Sequence, residues 1–459
     1  MRRGVAGILL LAVSVAGAYA FFETRRERNY RACIESGDEA LARGDTSAAI
    51  ESFSGAIALK SDSMLAYLRR GEAYQRRNDL QTALRDLLAA SELDPTALRP
   101  LELLGDVNAT LLRYDRAAQR YQAYLAIDDQ STRVLYKLGL VQFRAGRAAA
   151  ADDSLRRAIA LNDRFAEAYY LRGLCLRDLR KTDQSLASLK RAVDLSPAML
   201  PAREELADLY GRIGRVEDRL GQLQVLVGLD PGPSRGVALG LAYARHGMLD
   251  RAIPALRDVA EQYPDEPYVY VALGRVWLEA AQTRGDHVAL GKALEALEHA
   301  VQTDGGSEAL TLYGRALLHA SDYEAAERTL RQATERLPAD PLAFFYLAEA
   351  AERAMHPDVA RQALLDYRTI EGEEPDGRRR AAMAQRIGDL TLRMNDAAGA
   401  VAWYQRAVDA AQPDADLFVR LADALWKCGN ADGARAAIAQ ALEEDPVNAA
   451  AKALLKRLR

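Results

Sequence analysis

The chain has 459 residues, 61 basic against 65 acidic, and a formal net charge of −4. That near balance gives no electrostatic footprint for a phosphate backbone, so nucleic acid is excluded as the partner. Cys33, Cys175 and Cys428 lie far apart and form no C-x-x-C pair, which excludes an obligatory disulfide framework and leaves each a packing role.

The first predicted element is membrane-like. Met1-Arg2-Arg3 precedes Gly4 to Phe22, nineteen residues without a charge (22−4+1), a length that spans a bilayer as a helix. Two readings stay open over residues 1–29. An uncleaved transmembrane anchor would end at Phe21-Phe22. A secretory signal would be cut at the small-x-small site Ala18-Tyr19-Ala20 and export the body after Ala20. Arg2 and Arg3 flank the run on one side and Arg25, Arg26, Arg28 and Arg31 on the other, so the side of the membrane is unresolved. The expectation is a single-pass protein of a bacterial inner membrane, with the bacterial origin read from an excess of Arg and Ala.

From Tyr30 onward the chain repeats. Gly71, Gly105, Gly139 and Gly173 stand 34 residues apart, the mark of stacked helical units that bury their apolar faces only against neighbours. In the unit beginning at Met64, Tyr67, Arg70, Gly71 and Tyr74 hold places 4, 7, 8 and 11. Leu80, Ala83, Leu87, Ala90 and Pro95 hold places 17, 20, 24, 27 and 32. Steps of 3, 4 and 7 predict two amphipathic helices, parted by the polar break Arg76-Arg77-Asn78-Asp79. Gly71 should face Ala83 where the two helices cross, and Ala90 should meet the next unit. Asp94-Pro95, Ser196-Pro197, Asp230-Pro231 and Asp445-Pro446 should close second helices.

Twelve units begin near Tyr30, Met64, Leu98, Thr132, Ala166, Leu200, Pro233, Pro267, Ser307, Pro341, Ala381 and Ala415. Ten occupy residues 30–374 and two occupy 381–448. Arg219 stands where the sixth unit expects a small residue. The eighth unit takes thirteen steps from Trp277 to Leu290 where others take six, which predicts an insertion over 282–289, either a surface loop or a lip on a groove. Residues 375–380, inside a Gly-, Pro- and charge-rich stretch, read as a linker and a hinge. Residues 449–459 read as a capping helix with Leu454, Leu455 and Leu458 on one side.

The pattern resembles the tetratricopeptide repeat family over nearly the whole chain. The resemblance implies an all-α, right-handed superhelical solenoid of about twelve helix-turn-helix repeats, preceded here by the N-terminal transmembrane or signal helix. It also implies a binding scaffold whose ligand contacts fall on places 2, 5, 9, 12 and 13 of the first helices. Place 9 is acidic at Asp38, Glu72 and Asp106, apolar at Leu140 and Leu174, and acidic again at Asp208. It is then Leu241, basic at Arg275 and Arg315, and acidic at Glu349, Asp389 and Asp423. Place 5 supplies Tyr136, Tyr170, Val237, Val271 and Phe345. The expected groove therefore has an apolar, aromatic middle and acidic ends, with Tyr and Arg as anchors. Place 6 carries no Asn, which excludes a chaperone-tail clamp.

No catalytic constellation accompanies the repeats. The histidines make no H-E-x-x-H, and no G-x-S-x-G elbow occurs. Gly285 to Lys292 mimics a phosphate loop with the wrong glycine spacing, and Ala293 stands where the Ser or Thr should be. The expectation is a non-enzyme without cofactor, metal or small-molecule substrate. It would be a membrane-tethered adaptor that grips a peptide or helix of a protein partner during assembly of a bacterial envelope complex. Two other readings stand beside it: a regulatory subunit or enzyme working through the insertion at His287, and an array that stacks end to end on itself.

Overall fold

The computed structural model describes residues 2–372 and 374–458, and only the backbone of residues 2–14. Among the described residues there are helices and turns and no strand. The chain forms two compact units, Met1–Gln222 and Leu223–Arg459. The first holds α1 (Arg2–Ala42), α2 (Thr46–Leu59), α3 (Met64–Arg76), α4 (Leu80–Leu93), α5 (Leu98–Thr110), α6 (Tyr114–Ile127), α7 (Thr132–Arg144), α8 (Ala148–Leu161), α9 (Ala166–Asp178), α10 (Thr182–Leu195) and α11 (Leu200–Arg212). The boundary falls inside α12 (Val216–Leu229). The second unit continues with α13 (Pro233–Arg245), α14 (Leu249–Gln262), α15 (Pro267–Arg284), α16 (His287–Thr303), α17 (Ser307–His319), α18 (Tyr323–Glu335) and α19 (Pro341–Arg353). It ends with α20 (Pro357–Glu371), α21 (Gly377–Arg393), α22 (Ala397–Ala410), α23 (Ala415–Lys427), α24 (Ala431–Glu444) and α25 (Ala449–Arg457).

The repeat register sets these limits. First helices start at Met64, Leu98, Thr132, Ala166, Leu200, Pro233, Pro267, Ser307, Pro341 and Ala415, as the spacing predicts, and the four X-Pro steps each follow a helix end. Helix starts are capped by side chains. The carboxylates of Asp45, Asp322, Asp396 and Asp414 accept the third free amide of the helix they precede, at 2.8 to 3.2 Å. The turn inside each repeat is equally regular. Place 15 lies in the left-handed region in every repeat except the eighth, where Gly285 takes that role. Gly and Asn fill most of these positions, and Leu112, Arg180, Ser321 and Met355 fill the others.

Gly71 faces Ala83 as expected, with the Ala83 carbonyl oxygen 3.5 Å from a Cβ built on it, but its nearest neighbour is the Leu87 side chain at place 24. Place 24 is the larger, more protruding group, so it needs the gap; the small place-20 residue merely lets the backbones close up. Gly105 lies under the Tyr121 ring, where an added Cβ would fall 2.3 Å from a ring carbon. Gly105→Ala should lower stability by about 1–2 kcal/mol, because overpacking outweighs the gain in helix propensity. Gly291→Ala, with open space around it, should raise stability by about 0.5–1 kcal/mol. Paired urea titrations check both.

Ala90 is buried with Leu103, Leu104 and Val107 of the next first helix, as the spacing implied. Arg219, at its small-residue place, lies 3.2 Å from a Cβ built on Gly211, and its Nε is buried without a hydrogen-bond partner. In the eighth repeat the extra residues extend α15 and α16, and the turn between them is only Gly285-Asp286. Gly377 to Arg380 form the first turn of α21. At the C-terminal end α25 buries Ala451 and Leu454.

The membrane anchor is corrected. Among the described residues no helix is long and apolar enough to cross a membrane. Most of the Gly4–Phe22 run lies outside the residues whose side chains are described. α1 then continues without a break through Glu23, Arg25 and Arg26 into the first repeat. The single-pass topology, the inner-membrane location and the membrane as partner are therefore withdrawn, and the envelope setting loses the feature on which it rested.

One titratable contact has a pH signature. His356 Nδ1 lies 2.7 Å from Glu327 Oε2, and this hydrogen bond raises the imidazole above its usual value of 6.5. A raised folded-state value contributes stability that is complete below the unfolded value of about 6.5 and lost as pH rises through the folded one. The melting-temperature gap between wild type and His356→Gln should thus be open at pH 5.5 and closed by pH 8.5.

Candidate functional site

The acidic residues expected at one groove end, Asp38, Glu72 and Asp106, are internally paired in the Met1–Gln222 unit. Each is met by a base from the following repeat. Arg69 lies 3.3 Å from Asp38 and donates to Glu72 at 2.9 Å. Arg99 donates to Glu72 at 3.0 Å. Glu102, almost fully buried, accepts from Arg133 and Lys137 at 2.7 Å each. Lys137 also reaches Asp106 at 2.8 Å, and Asp106 accepts the Tyr121 hydroxyl at 2.6 Å. These carboxylates form a ladder across successive first helices. In the second unit Asp389 repeats the motif, accepting from Tyr404 at 2.7 Å and Arg420 at 2.9 Å.

Tyr136, Leu140, Tyr170 and Leu174 come together on α7 and α9. Leu174 is buried with Leu171 and Cys175, and the two tyrosines and Leu140 are half-buried against them. The Tyr136 ring lies 5.0 Å from Phe165. Burial raises both phenols above their ordinary pKa.

The open surface is in the Leu223–Arg459 unit. Val237 and Leu241 of α13, Val271 and Arg275 of α15, and Arg315 of α17 line one groove of about 1060 Å³. Sequence reasoning missed Tyr268, Leu342 and Tyr346, which line it too. Tyr268 and Leu342 hold place 2, a ligand-contact place the resemblance had already assigned. Tyr268 is 38% exposed, Leu342 49% and the inter-repeat Leu337 92%. The cations are held in place: Arg275 pairs with Glu308. Arg315 lies 5.6 Å over the Tyr346 ring and donates to Gln282 Oε1 at 2.9 Å. Gln282, the first of the extra residues of the eighth repeat, also contacts His319 Nε2 at 2.6 Å. Burial, then Arg315, lowers the His319 pKa. Its ring is therefore neutral at pH 7 and free to accept from the amide, which fixes the Gln282 oxygen toward Arg315.

Phe345 does not join this groove. It lines a second cavity of the same unit, about 960 Å³, with Tyr367 and Trp403. His287, at the start of α16, is exposed. Among the described residues no group of three His, Cys, Asp or Glu could hold a metal ion.

A sequence model of the tetratricopeptide repeat matches residues 34–97, 68–132, 136–199, 237–308 and 311–378, and a second tetratricopeptide repeat model matches 391–458. No curated protein matches the chain. Among solved structures, a tetratricopeptide repeat protein from Parabacteroides merdae is 17% identical with a TM-score of 0.40, covering 54% of this chain and 99% of its own. PilF of Pseudomonas aeruginosa is 19% identical with a TM-score of 0.39, covering 46% and 96%. YrrB, described as a TPR protein with an unusual peptide-binding site, is 23% identical with a TM-score of 0.37, covering 40% and 96%. These likenesses are too distant to carry an argument, and the assignment rests on the repeat models and the register. On that ground the chain belongs to the tetratricopeptide repeat family.

Proposed function

We propose that this protein is a non-catalytic binding scaffold that takes a peptide or helix of a protein partner in the groove of the Leu223–Arg459 unit. One observation carries the reading. Val237, Leu241 and Val271 lie beside exposed Tyr268 and Leu342 and two immobilised arginines in one open groove. Exposed aromatic and arginine anchors set around an apolar strip are the composition of binding hot spots. Arg275 and Arg315 are already oriented by Glu308, Tyr346 and Gln282, so little side-chain entropy remains to be lost on binding.

On this reading Tyr136 and Tyr170 serve packing in the Met1–Gln222 unit. The test uses peptides selected from a display library against the full chain. Tyr268→Ala/Arg315→Ala should weaken the selected peptides by at least tenfold, roughly 1.4 kcal/mol or more. Tyr136→Ala/Tyr170→Ala should bind them as wild type does. Undiminished binding by the first variant, or loss confined to the second, would move the site out of this groove.

A further inference from the structure

The second cavity of the Leu223–Arg459 unit is built from α20, α21 and α22, with Phe345 of α19 on its wall. Tyr367 and Arg368 of α20 and Trp403 and Arg406 of α22 lie on second helices, outside the places the family resemblance assigns to ligand, whereas Phe345 stands at place 5. The cavity exists because α20, α21 and the segment between them are longer than their counterparts, and because α21 can start directly on the end of α22. A Cβ on Gly377 would stand 2.5 Å from the Ala410 carbonyl oxygen, so only glycine permits that approach.

Its charges are out of balance at one point. Trp403 carries two guanidiniums over its ring, Arg406 at 4.4 Å and Arg368 at 5.0 Å from the centroid. Among the described residues neither has a carboxylate partner, whereas nearby Arg386 is held by Glu352 at 2.6 Å. Cation–π attraction to the indole holds both guanidiniums at this ring without neutralising their charge. Their free N–H edges suit a carboxylate, which guanidinium binds in a bidentate fork. Beside them Phe345 and Tyr367, with centroids 5.7 Å apart, form an aromatic wall.

We infer that this cavity is a second recognition site, for a peptide in which an acidic side chain lies beside an aromatic or large apolar one. The carboxylate enters between Arg368 and Arg406, and its neighbour stacks on the Phe345–Tyr367 wall. The lining sets Glu371, Glu374 and Asp409 against five arginines. Those carboxylates disfavour a nucleic-acid strand, whose charge is continuous along the backbone. A peptide can place one acidic group opposite the arginines and uncharged residues opposite the carboxylates. The inference does not rest on the groove reading.

The experiment is fluorescence anisotropy on the full chain. Its probes are labelled peptides with Glu next to Trp, Phe or Leu, the same peptides with Gln for Glu, and a single-stranded dT oligomer. The Glu peptides should bind at least tenfold more tightly than their Gln counterparts and more tightly than the oligomer. Arg368→Gln/Arg406→Gln should lose at least tenfold with its melting temperature unchanged. Tyr268→Ala/Arg315→Ala should bind as wild type does, which separates this site from the groove. Equal binding of Glu and Gln peptides, retained binding by the double arginine variant, or tighter binding of the oligomer would overturn the inference. So would no binding of any Glu peptide.

Discussion

Tyr121→Ala should destabilise the Met1–Gln222 unit by about 3–5 kcal/mol, the largest effect expected of a single substitution here. Tyr121 is among the largest fully buried side chains, packed in one cluster with Leu101, Leu125, Leu135 and Leu138 from three successive helices, α5 to α7. Its ring fills the space that Gly105 leaves, and removing it opens a cavity that close-packed neighbours cannot fill. The hydroxyl adds a separate contribution through Asp106, which burial, followed by the hydrogen bond itself, reflects in a strongly raised phenol pKa. Tyr121→Phe keeps the packing and loses that bond, so it should cost about 1 kcal/mol. Repeats contact chiefly their neighbours, so the damage should be local. Hydrogen exchange should show protection lost first over α5 to α7 and unchanged in the Leu223–Arg459 unit. Equal effects of Tyr121→Ala and Tyr121→Phe would mean that the hydroxyl, not the packing, dominates.

Glu102→Ala should cost about 3 kcal/mol. Glu102 is 1% exposed and carries three cations, Arg99 at 3.5 Å and Arg133 and Lys137 at 2.7 Å. Removing the carboxylate leaves Arg133 without its partner and Arg99 and Lys137 with only Glu72 and Asp106, and breaking a buried pair costs more than the pair contributes. The cations are a quarter or more exposed, so water recovers part of the loss and the figure sits at the lower end of the range for buried pairs. Asp115→Ala removes a pair of the same length, 2.8 Å to Arg147, in which the carboxylate is 78% exposed. It should change stability by less than about 0.5 kcal/mol. Urea titration of both variants at two salt concentrations measures the contrast, and salt should erase the Asp115 effect while leaving most of the Glu102 effect.

The repeat register was legible because two residue types can each do only one thing. Glycine at place 8 lies where a Cβ would strike the place-24 side chain, and proline after a second helix forbids its continuation. The left-handed place 15 was legible in Gly44, Asn78, Gly146 and Asn395, and hidden where Leu112 and Met355 adopt the same backbone. The pairing of the acidic face was not drawn from the sequence. A lysine or arginine at place 6 stands thirty-one residues after an acid at place 9, as Arg69 does after Asp38, Lys137 after Asp106 and Arg420 after Asp389. That spacing in a 34-residue repeat puts both groups side by side on adjacent first helices, so the signal was present. The eighth repeat reads as a loop by length alone, yet Leu278 to Gln282 favour helix, and chain reversal waits for Gly285, with Asp286 capping α16. The site residues divided for a physical reason. Places 5 and 9 identify a helix face, and what that face meets, Phe165 at Tyr136 or the groove shared with Tyr268 at Val271, depends on neighbours that no single repeat specifies. The arginine pair on Trp403 lies at places the repeat pattern does not constrain.

The most direct test of the scaffold reading installs a photo-crosslinking phenylalanine analogue at position 271 in the groove and, separately, at position 257, where Arg257 is 62% exposed on α14. The selected peptides should crosslink from position 271 and not from 257, and unlabelled peptide should suppress the product. Equal crosslinking from both positions, or crosslinking from 257 alone, would contradict the placement of the partner in this groove.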